Sequence, residues 1–400
     1  MILHVDMNSF YASCAVMKSG GLYTFETPLM VCGDPKKRHG IVLAATYPVK
    51  KTGVRAGMPL WEAKQRCPNA VVVEPDFRLY MDYSNRFMHI IRSYSPLIMR
   101  YGIDEAYIDY SGCEHIFGPP ETVAEIIRER VKRELGLTVS VGIGENLIMA
   151  KMGSDYKKPD AITSLNRESW KKLIWPLPAS NLMYVGKATE RKLGDMGVRT
   201  IGQLAGMSLE LLKSIFGKSG ADMWMHANGM DNTHIKYVED PQKGIGSSMT
   251  LPQDVTSTKD LLAALLLQTE KVAYRLRQAG MRARVIAVHV RFDDLTSRSC
   301  QTTLEKPTDI TQEIYNEARL LIPRLMIGRP VRQAGIRVAK LTSEGEQISL
   351  MDAEHREKLH RLDAATDAMR AKYGSDVLMR GSTMRFEQDE FDEFSPFVKR

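Results

Sequence analysis

Between residues 244 and 341 the apolar pattern changes period in a fixed order. It predicts a strand over 245–251, a helix over 258–278, strands over 282–292 and 299–304, a helix over 308–325 and a strand over 331–341. Arg284, Ile286, Val288 and Val290 share one parity, as a strand with a buried face requires. This succession is a β-α-β-β-α-β unit. The first 165 residues carry a related order. Strand 2–7 and helix 9–17 are followed, after an insert at 19–76, by helix 80–94. Two strands within 98–110 then flank a tight bend at Ile103-Asp104-Glu105. Helix 123–135, strand 138–144 and helix 147–156 complete it. The insert holds short strands at 29–33 and 41–45 and a helix over 61–67. From 170 to 229 strand signals vanish and short helices alternate with glycine turns. There Thr200-Ile-Gly-Gln203 has the spacing of a capping box. The chain is therefore expected to be an α+β multidomain protein.

Charge narrows the partner class. The net charge is +7, and residues 241–340 alone hold 16 basic and 9 acidic residues, a net of +7. A concentrated basic segment points to a polyanion, nucleic acid first; a solvated Lys/Arg-rich face is the alternative. The longest clean apolar run, Leu261–Leu267, is far short of the ~20 residues that a membrane helix needs. No basic region precedes an apolar stretch at the N-terminus, so no signal peptide is expected. Cys14, Cys32, Cys67, Cys113 and Cys300 are scattered, with no CxxC spacing. That speaks against a disulfide framework and a Cys-based zinc site, and for a reducing cytoplasm. The nine histidines show no ligand spacing.

Asp6 ends a hydrophobic strand, and Asp104 and Glu105 sit at a hairpin bend. Carboxylates at strand ends are costly unless they are solvated or bind something positive. Clusters of this kind hold Mg²⁺, a hard cation that prefers oxygen ligands. Two such ions about 3.5–4 Å apart can activate an attacking oxygen and stabilise a leaving one.

The surroundings are specific. His4-Val-Asp6-Met-Asn-Ser-Phe-Tyr-Ala12 and Tyr101-Gly-Ile-Asp104-Glu105-Ala-Tyr-Ile-Asp109 resemble the two catalytic motifs of Y-family (translesion) DNA polymerases. Ala45-Thr-Tyr47-Pro-Val-Lys50-Lys-Thr-Gly-Val-Arg55-Ala-Gly-Met58 resembles that family's fingers motif. Ser140-Val-Gly-Ile-Gly144, followed by Ala150 through Pro159, resembles the end of its palm. The matches come in the family's order, and bacterial members are the most similar. The resemblance implies a right-hand polymerase. Residues 1–18 and 77–165 would form a ferredoxin-like palm, 19–76 a small fingers insert, and 166–232 a helical thumb with a helix-hairpin-helix. Residues 233–342 would form the β-α-β-β-α-β little finger. The remainder, 343–400, would hold a clamp-binding peptide, a charged helix and a mobile acidic tail.

Roles follow from the resemblance position by position. Asp6, Asp104 and Glu105 match the catalytic, metal-binding carboxylates, and the Met7 carbonyl matches a backbone metal ligand. The implied cofactor is Mg²⁺, two ions, with Mn²⁺ able to substitute. Tyr11 matches the steric gate, an aromatic ring against the sugar of the incoming nucleotide. Ser9 and Phe10 lie beside the expected triphosphate path, and Tyr47, Lys50 and Lys158 match triphosphate-contacting positions. Several positions depart from the family pattern. Asn8 stands where Asp is usual, Ala44 where Thr is usual, Lys50 for a common Arg, Leu147 for a usual Lys, and Ala161 for a usual Gly. None removes a metal ligand.

Val185-Gly186-Lys187 and Met196-Gly197-Val198 resemble the thumb's helix-hairpin-helix, whose glycines let backbone N–H groups approach phosphates. Arg282, Arg284, Arg291, Arg332 and Arg337 are candidate phosphate contacts in the little finger. Gln347-Ile-Ser-Leu350-Met351-Asp352 resembles the peptide that docks in the bacterial sliding clamp. After it, Leu359, Leu362, Met369 and Tyr373 lie roughly on one helix face, and 386–400 is expected to be mobile. The implied partners are primer-template DNA, dNTP and the clamp, with the chain a cytoplasmic monomer. No exonuclease-type acidic cluster stands elsewhere, so proofreading is not expected. Two other readings remain open: a catalytically silent DNA- and clamp-binding protein, and a nucleotidyl cyclase on a similar palm.

Overall fold

A computed structural model of the chain describes residues 1–34, 40–235, 241–343, 350–374, 377–384 and 386. Contacts divide the chain into two compact units, one of residues 1–33 and 40–239, the other containing residues 240–400. No helix among the described residues is long and apolar enough to cross a membrane.

In the first unit, strand β1 (Ile2–Met7) continues into helix α1 (Phe10–Lys18). The insert follows with β2 (Leu29–Cys32), β3 (Val42–Ala45), α2 (Tyr47–Lys51), α3 (Leu60–Arg66) and β4 (Val71–Val73). It forms a small sheet ordered β3-β2-β4, with β4 parallel to β2. Neither α2 nor β4 is expected from the sequence. Both are very short, and Pro48 reads as a break although proline is favoured in a first helical turn. The chain continues through α4 (Phe77–Ile91), β5 (Ile98–Arg100), β6 (Glu105–Asp109), α5 (Glu114–Phe117), α6 (Pro120–Leu135), β7 (Val139–Gly144), α7 (Leu147–Tyr156) and β8 (Ile162–Leu165). The main sheet is ordered β5-β6-β1-β7-β8, with β1 antiparallel to both of its neighbours. The β8 strand, also absent from the sequence reading, extends the sheet parallel to β7.

Strand parity divides the labour of β1. Leu3, Val5 and Met7 join the core with Phe87 and Ile91 of α4 and Ile127 and Val131 of α6. His4 and Asp6 therefore point to the opposite face, where α7 lies. That helix lies very close to the sheet. A Cβ on Gly142 would stand 1.9 Å from the Ala150 carbonyl oxygen and 2.3 Å from the Ser154 nitrogen. Gly153 faces the same contact, so backbone touches backbone.

Beyond the palm-like sheet come α8 (Arg167–Ser169), a π-helical turn at Trp170–Ile174, α9 (Lys187–Asp195), α10 (Ile201–Ala205), α11 (Leu209–Phe216) and α12 (Lys218–Ala227). Thr200 caps α10 through the expected capping box with Gln203. The indoles of Trp170 and Trp175 both donate to the Ala227 carbonyl. Ile148, Met149 and Met152 of α7 belong to the core of this helical region.

The second unit has β9 (Gly244–Val255), α13 (Thr258–Gln278), β10 (Arg282–Phe292), β11 (Ser297–Thr308), α14 (Thr311–Leu325) and β12 (Val331–Thr342). Its element order matches the expectation, with a sheet ordered β11-β10-β12-β9. Here the first strand lies at an edge, whereas β1 lies inside its sheet. Ile286, Val288, Val290, Ala334, Ile336 and Val338 pack against α13 and α14.

The chain after 350 departs from the expectation. Helix α15 (Leu350–Tyr373) turns its charged face inward. Leu362, Met369 and Tyr373 are exposed, while Asp363 and Arg370 are buried. The reason lies in α13, which is buried on nearly every side and carries Glu270 and Arg277. Arg277 reaches Asp363 at 3.1 Å and Asp367 at 2.7 Å, and Glu270 takes Arg370 at 2.9 Å and Arg380 at 2.6 Å. Burying a charge is tolerable when it is paired. Phe386, expected to begin a mobile tail, is buried in the same core.

The tight β7–α7 contact generates a prediction. Gly142→Ala forces α7 off the sheet and should destabilise the chain by about 1–3 kcal/mol or more, as overpacking does. Chemical denaturation of the variant checks it; an unchanged midpoint would mean that the contact can relax.

Candidate active site

Asp6 and Glu105 are direct cross-strand partners, so their side chains share the α7 face. The Met7 N–H donates to the Asp104 carbonyl at 2.9 Å, which fixes the bend beside the end of β1. His4, Asp6 and Glu105 offer ligand atoms within 4.8 Å of one another. Burial, then the neighbouring Asp6 and Glu105 charges, raise the Asp104 pKa to about 6. Burial also pushes Glu105 upward, but His4 and the Lys151 ammonium outweigh it and hold Glu105 at about 2. Full burial lowers the His4 pKa. Its Nδ1 lies 2.8 Å from Ser154 Oγ and its Nε2 3.2 Å from Glu105 Oε2. The donor set of Asp6, Asp104, Glu105 and the Met7 carbonyl is all oxygen, which fits a hard divalent cation.

Two lysines face this cluster. Lys158, placed by resemblance on the triphosphate path, bonds Asp6 Oδ1 at 2.8 Å. Lys151 bonds Asp6 Oδ2 at 3.1 Å and Glu105 Oε2 at 2.6 Å. Sequence reasoning assigned Lys151 and His4 no role. A lysine among Met and Gly on a short helix gives no sign that it reaches Glu105.

Tyr47 and Lys50 of α2 complete a cationic side. The Lys50 ammonium lies 4.7 Å from the Tyr47 ring centroid. Partial desolvation, then the Lys158 charge, lower the Lys50 pKa, with Asp6 and Asp104 opposing. Desolvation raises the Tyr47 phenol. Ser9 stands before α1 with φ 47°, in the left-handed region. It lies near enough to Tyr47 to draw that phenol down a little, yet its buried Oγ meets no partner at hydrogen-bond geometry. The Phe10 ring is in the core, so the group it offers a ligand is its backbone amide, in the first turn of α1.

Asn8 has a structural task. Its Nδ2 donates to Ser140 Oγ at 2.9 Å, and its Oδ1 accepts from the Asp160 N–H at 2.8 Å. It thus ties the turn that carries Lys158 to β7. An ionised Asp has no N–H to give to Ser140.

Tyr11 is half-buried. Its ring stacks on Tyr80 with centroids 4.2 Å apart and an interplanar angle of 21°. Phe77 meets it edge-on at 6.1 Å. Burial, then the Asp104 charge, raise its phenol pKa.

In the helical region Gly186 caps α9 in extended backbone, and Gly197 follows it at φ 80°. The Val198 N–H bonds the Leu193 carbonyl and the Gly197 N–H that of Gly194, a Schellman close that needs the left-handed residue. Tyr184, just before this element, has φ 70°, and its hydroxyl lies 3.3 Å from that of Tyr101, between β5 and β6. No sequence signal marks that pair.

In the second unit, strand pairing places the arginines. Arg291 and Arg337 lie on the sheet face away from α13 and α14. Arg284 does not keep the parity expected with Ile286: the ladder shifts register between Ala283 and Val285, Ala283 is buried in the helix-covered core, and Arg284 beside it is exposed. Arg282 comes within 3.9 Å of Asp309, and Arg284 donates to the Glu305 carbonyl. Arg332 sits at a bulge between Val331 and Gln333. Gln347 lies outside the described residues, as do the side chains of Leu350 and Met351.

Asn8→Ala should cost about 1–3 kcal/mol, because it strands a buried hydroxyl and a backbone N–H. Equilibrium unfolding measures it; a change within ±0.5 kcal/mol, as at an ordinary surface site, would count against that task.

Comparison with known proteins agrees with this geometry. Residues 5–155 match the impB/mucB/samB family, 242–350 that family's C-terminal domain, and 180–231 the DNA polymerase-iota thumb domain. The chain is 39% identical to DNA polymerase IV of Acetivibrio thermocellus, over 95% of this chain and 96% of that protein. It is 36% identical to DNA polymerase IV 2 of Bacillus subtilis, over 98% and 96%. A chimeric Y-family DNA polymerase shares its fold with a TM-score of 0.74 at 23% identity, over 86% of this chain and 99% of that one. With its three domain models in order and relatives matched along nearly the whole length, the chain belongs to the impB/mucB/samB family, the Y-family DNA polymerases.

Proposed function

We propose that the chain is a DNA polymerase that copies template past damaged bases. It would transfer nucleotides from dNTP to a primer 3′-hydroxyl with two Mg²⁺ ions, and without proofreading. One observation carries the reading. Carboxylates from two adjacent strands stand against the Lys158 ammonium, with Lys50, Tyr47 and an unpartnered Ser9 hydroxyl close by. That is a place for a polyphosphate beside a cation site. Asp6, Asp104, Glu105 and the Met7 carbonyl would hold the ions. When bound, these would lower the pKa of the attacking hydroxyl and stabilise the leaving pyrophosphate.

The protein's own groups do the rest. Lys50 and Lys158 neutralise the phosphates, and Tyr47 and Ser9 donate hydroxyls to them. His4 orients Glu105. Tyr11 lies against the sugar, where a 2′-hydroxyl collides with it. Gly186 and Gly197 in the thumb, and Arg291 and Arg337 on the open sheet face, would hold DNA through phosphates, with affinity that falls steeply with salt. Gln347, Leu350 and Met351 would dock on the sliding clamp.

Primer extension separates this reading from a silent DNA- and clamp-binding protein. Asp104→Ala should all but abolish nucleotide addition, with a loss of about 10²–10³-fold or more by comparison with other groups that stabilise developing charge, and leave primer-template affinity nearly intact. Substantial surviving activity in a folded variant would sink the assignment.

Tyr11→Ala should raise ribonucleotide use relative to deoxyribonucleotide use, with a modest drop for the latter. Displacing that ring or shifting the reacting phosphate is costly to rate, and the substitution removes the obstacle. Paired kcat/KM values decide; an unchanged ratio leaves Tyr11 only a packing role.

A further inference from the structure

Asp6 has two carboxylate oxygens, and a lysine holds each. Lys158 Nζ takes Oδ1 at 2.8 Å, and Lys151 Nζ takes Oδ2 at 3.1 Å. Lys151 also takes Glu105 Oε2 at 2.6 Å. Asp155 pairs with both ammoniums, with Lys151 at 3.4 Å and Lys158 at 2.8 Å. The Lys151 side chain is only 14% exposed, so its charge is committed to this cluster. A divalent cation bound through Asp6 needs oxygens that these ammoniums occupy.

We propose that Lys151 and Lys158 are built-in cation placeholders, and that divalent metal enters the Asp6–Glu105 cluster by exchange with them. The proposal rests on the metal-dependent reading above. Its physical basis is the cost of like charge out of water. Asp6, Asp104 and Glu105 repel one another in a partly desolvated site, and something positive must stand among them. The two ammoniums are positive charge of that kind. They stabilise the carboxylate cluster and at the same time compete with a cation for its oxygens. The two lysines differ in what can draw them away. Lys158 lies beside Lys50, on the side proposed for the triphosphate, so a nucleotide can take it from Oδ1. Lys151 has Asp155 on its own helix as an alternative partner, so it can leave Asp6 without losing all compensation.

The test uses the full chain without DNA or nucleotide, and Mn²⁺ as the probe. Mn²⁺ binding is titrated by the paramagnetic resonance signal of the free ion, and melting is followed with and without Mn²⁺. Lys151→Met should bind Mn²⁺ about tenfold more tightly, a size ordinary for coupling between competing ligands. It should also melt at a lower temperature without metal and gain more from Mn²⁺ than the parent does. Lys158→Met, on a more exposed side chain, should shift affinity in the same direction and serves if the first variant does not fold. Asp6→Asn should remove the effect of either substitution. Mn²⁺ affinity equal to or weaker than the parent's in both lysine variants overturns the exchange. Primer extension by the parent on the same preparations reports the polymerase reading separately. Extension together with unchanged Mn²⁺ affinities defeats the exchange alone.

Discussion

Negative charge gathered at one end of a buried sheet governs this molecule. Asp6 and Glu105 face each other across β1 and β6, and Asp104 stands one residue away. Such a cluster is stable only if compensating charge is held at atomic range. The compensation comes from α7 and the turn after it. Those groups reach the cluster because Gly142 and Gly153 let α7 settle backbone against backbone on the sheet. Asn8 pins the turn from the other side. A packing detail in glycine thus sets the electrostatics of the site.

The same logic recurs in the second unit, with the opposite use of sequence. Its basic excess reads as a surface for a polyanion, yet part of it is spent internally. Arg277 is consumed by Asp363 and Asp367, and Arg282 approaches Asp309. The acidic segment beyond 341 supplies much of that balance. Net charge by segment therefore overstates what is left for DNA; Arg291 and Arg337, on the open sheet face, are a better measure. Buried ion pairs of this kind fix how α15 sits more surely than they add stability.

Legibility follows the range of the cause. Helix α13 and strand β10 have the bounds that the sequence predicts, because apolar period is a local property of long elements. The two β-α-β-β-α-β units show the limit. Their element order is readable, but one places its first strand inside the sheet and the other at the edge. Strand order depends on which faces meet, and no short window holds that. In α15 the period of Leu362, Met369 and Tyr373 suggests an inward apolar face. Salt bridges to α13 decided otherwise, since hydropathy scoring treats a paired charge as an exposed one. The candidate site divides the same way. Its carboxylates, Tyr47, Lys50 and Lys158 were reached through motif. Lys151 and His4 act across the fold, and their neighbours in sequence say nothing of it.

The aromatic floor shows how one helix serves core and site together. Phe10 and Tyr11 are consecutive on α1, so their side chains leave the axis roughly 100° apart. Phe10 goes into the core, where its ring lies 6.0 Å from Tyr80. Tyr11 lies on the other side of that arrangement, stacked on Tyr80. Tyr80 is itself fully buried and met edge-on by Phe77. Each ring therefore limits the rotation of the next. A ring that could swing aside would discriminate weakly between ligands differing by one hydroxyl, because moving it would cost little. A ring stacked on a buried neighbour can yield only if the core yields with it, and close-packed interiors resist such shifts. In the gate role proposed for it, Tyr11 would owe its selectivity less to the size of its ring than to Phe10, Phe77 and Tyr80, which keep it still.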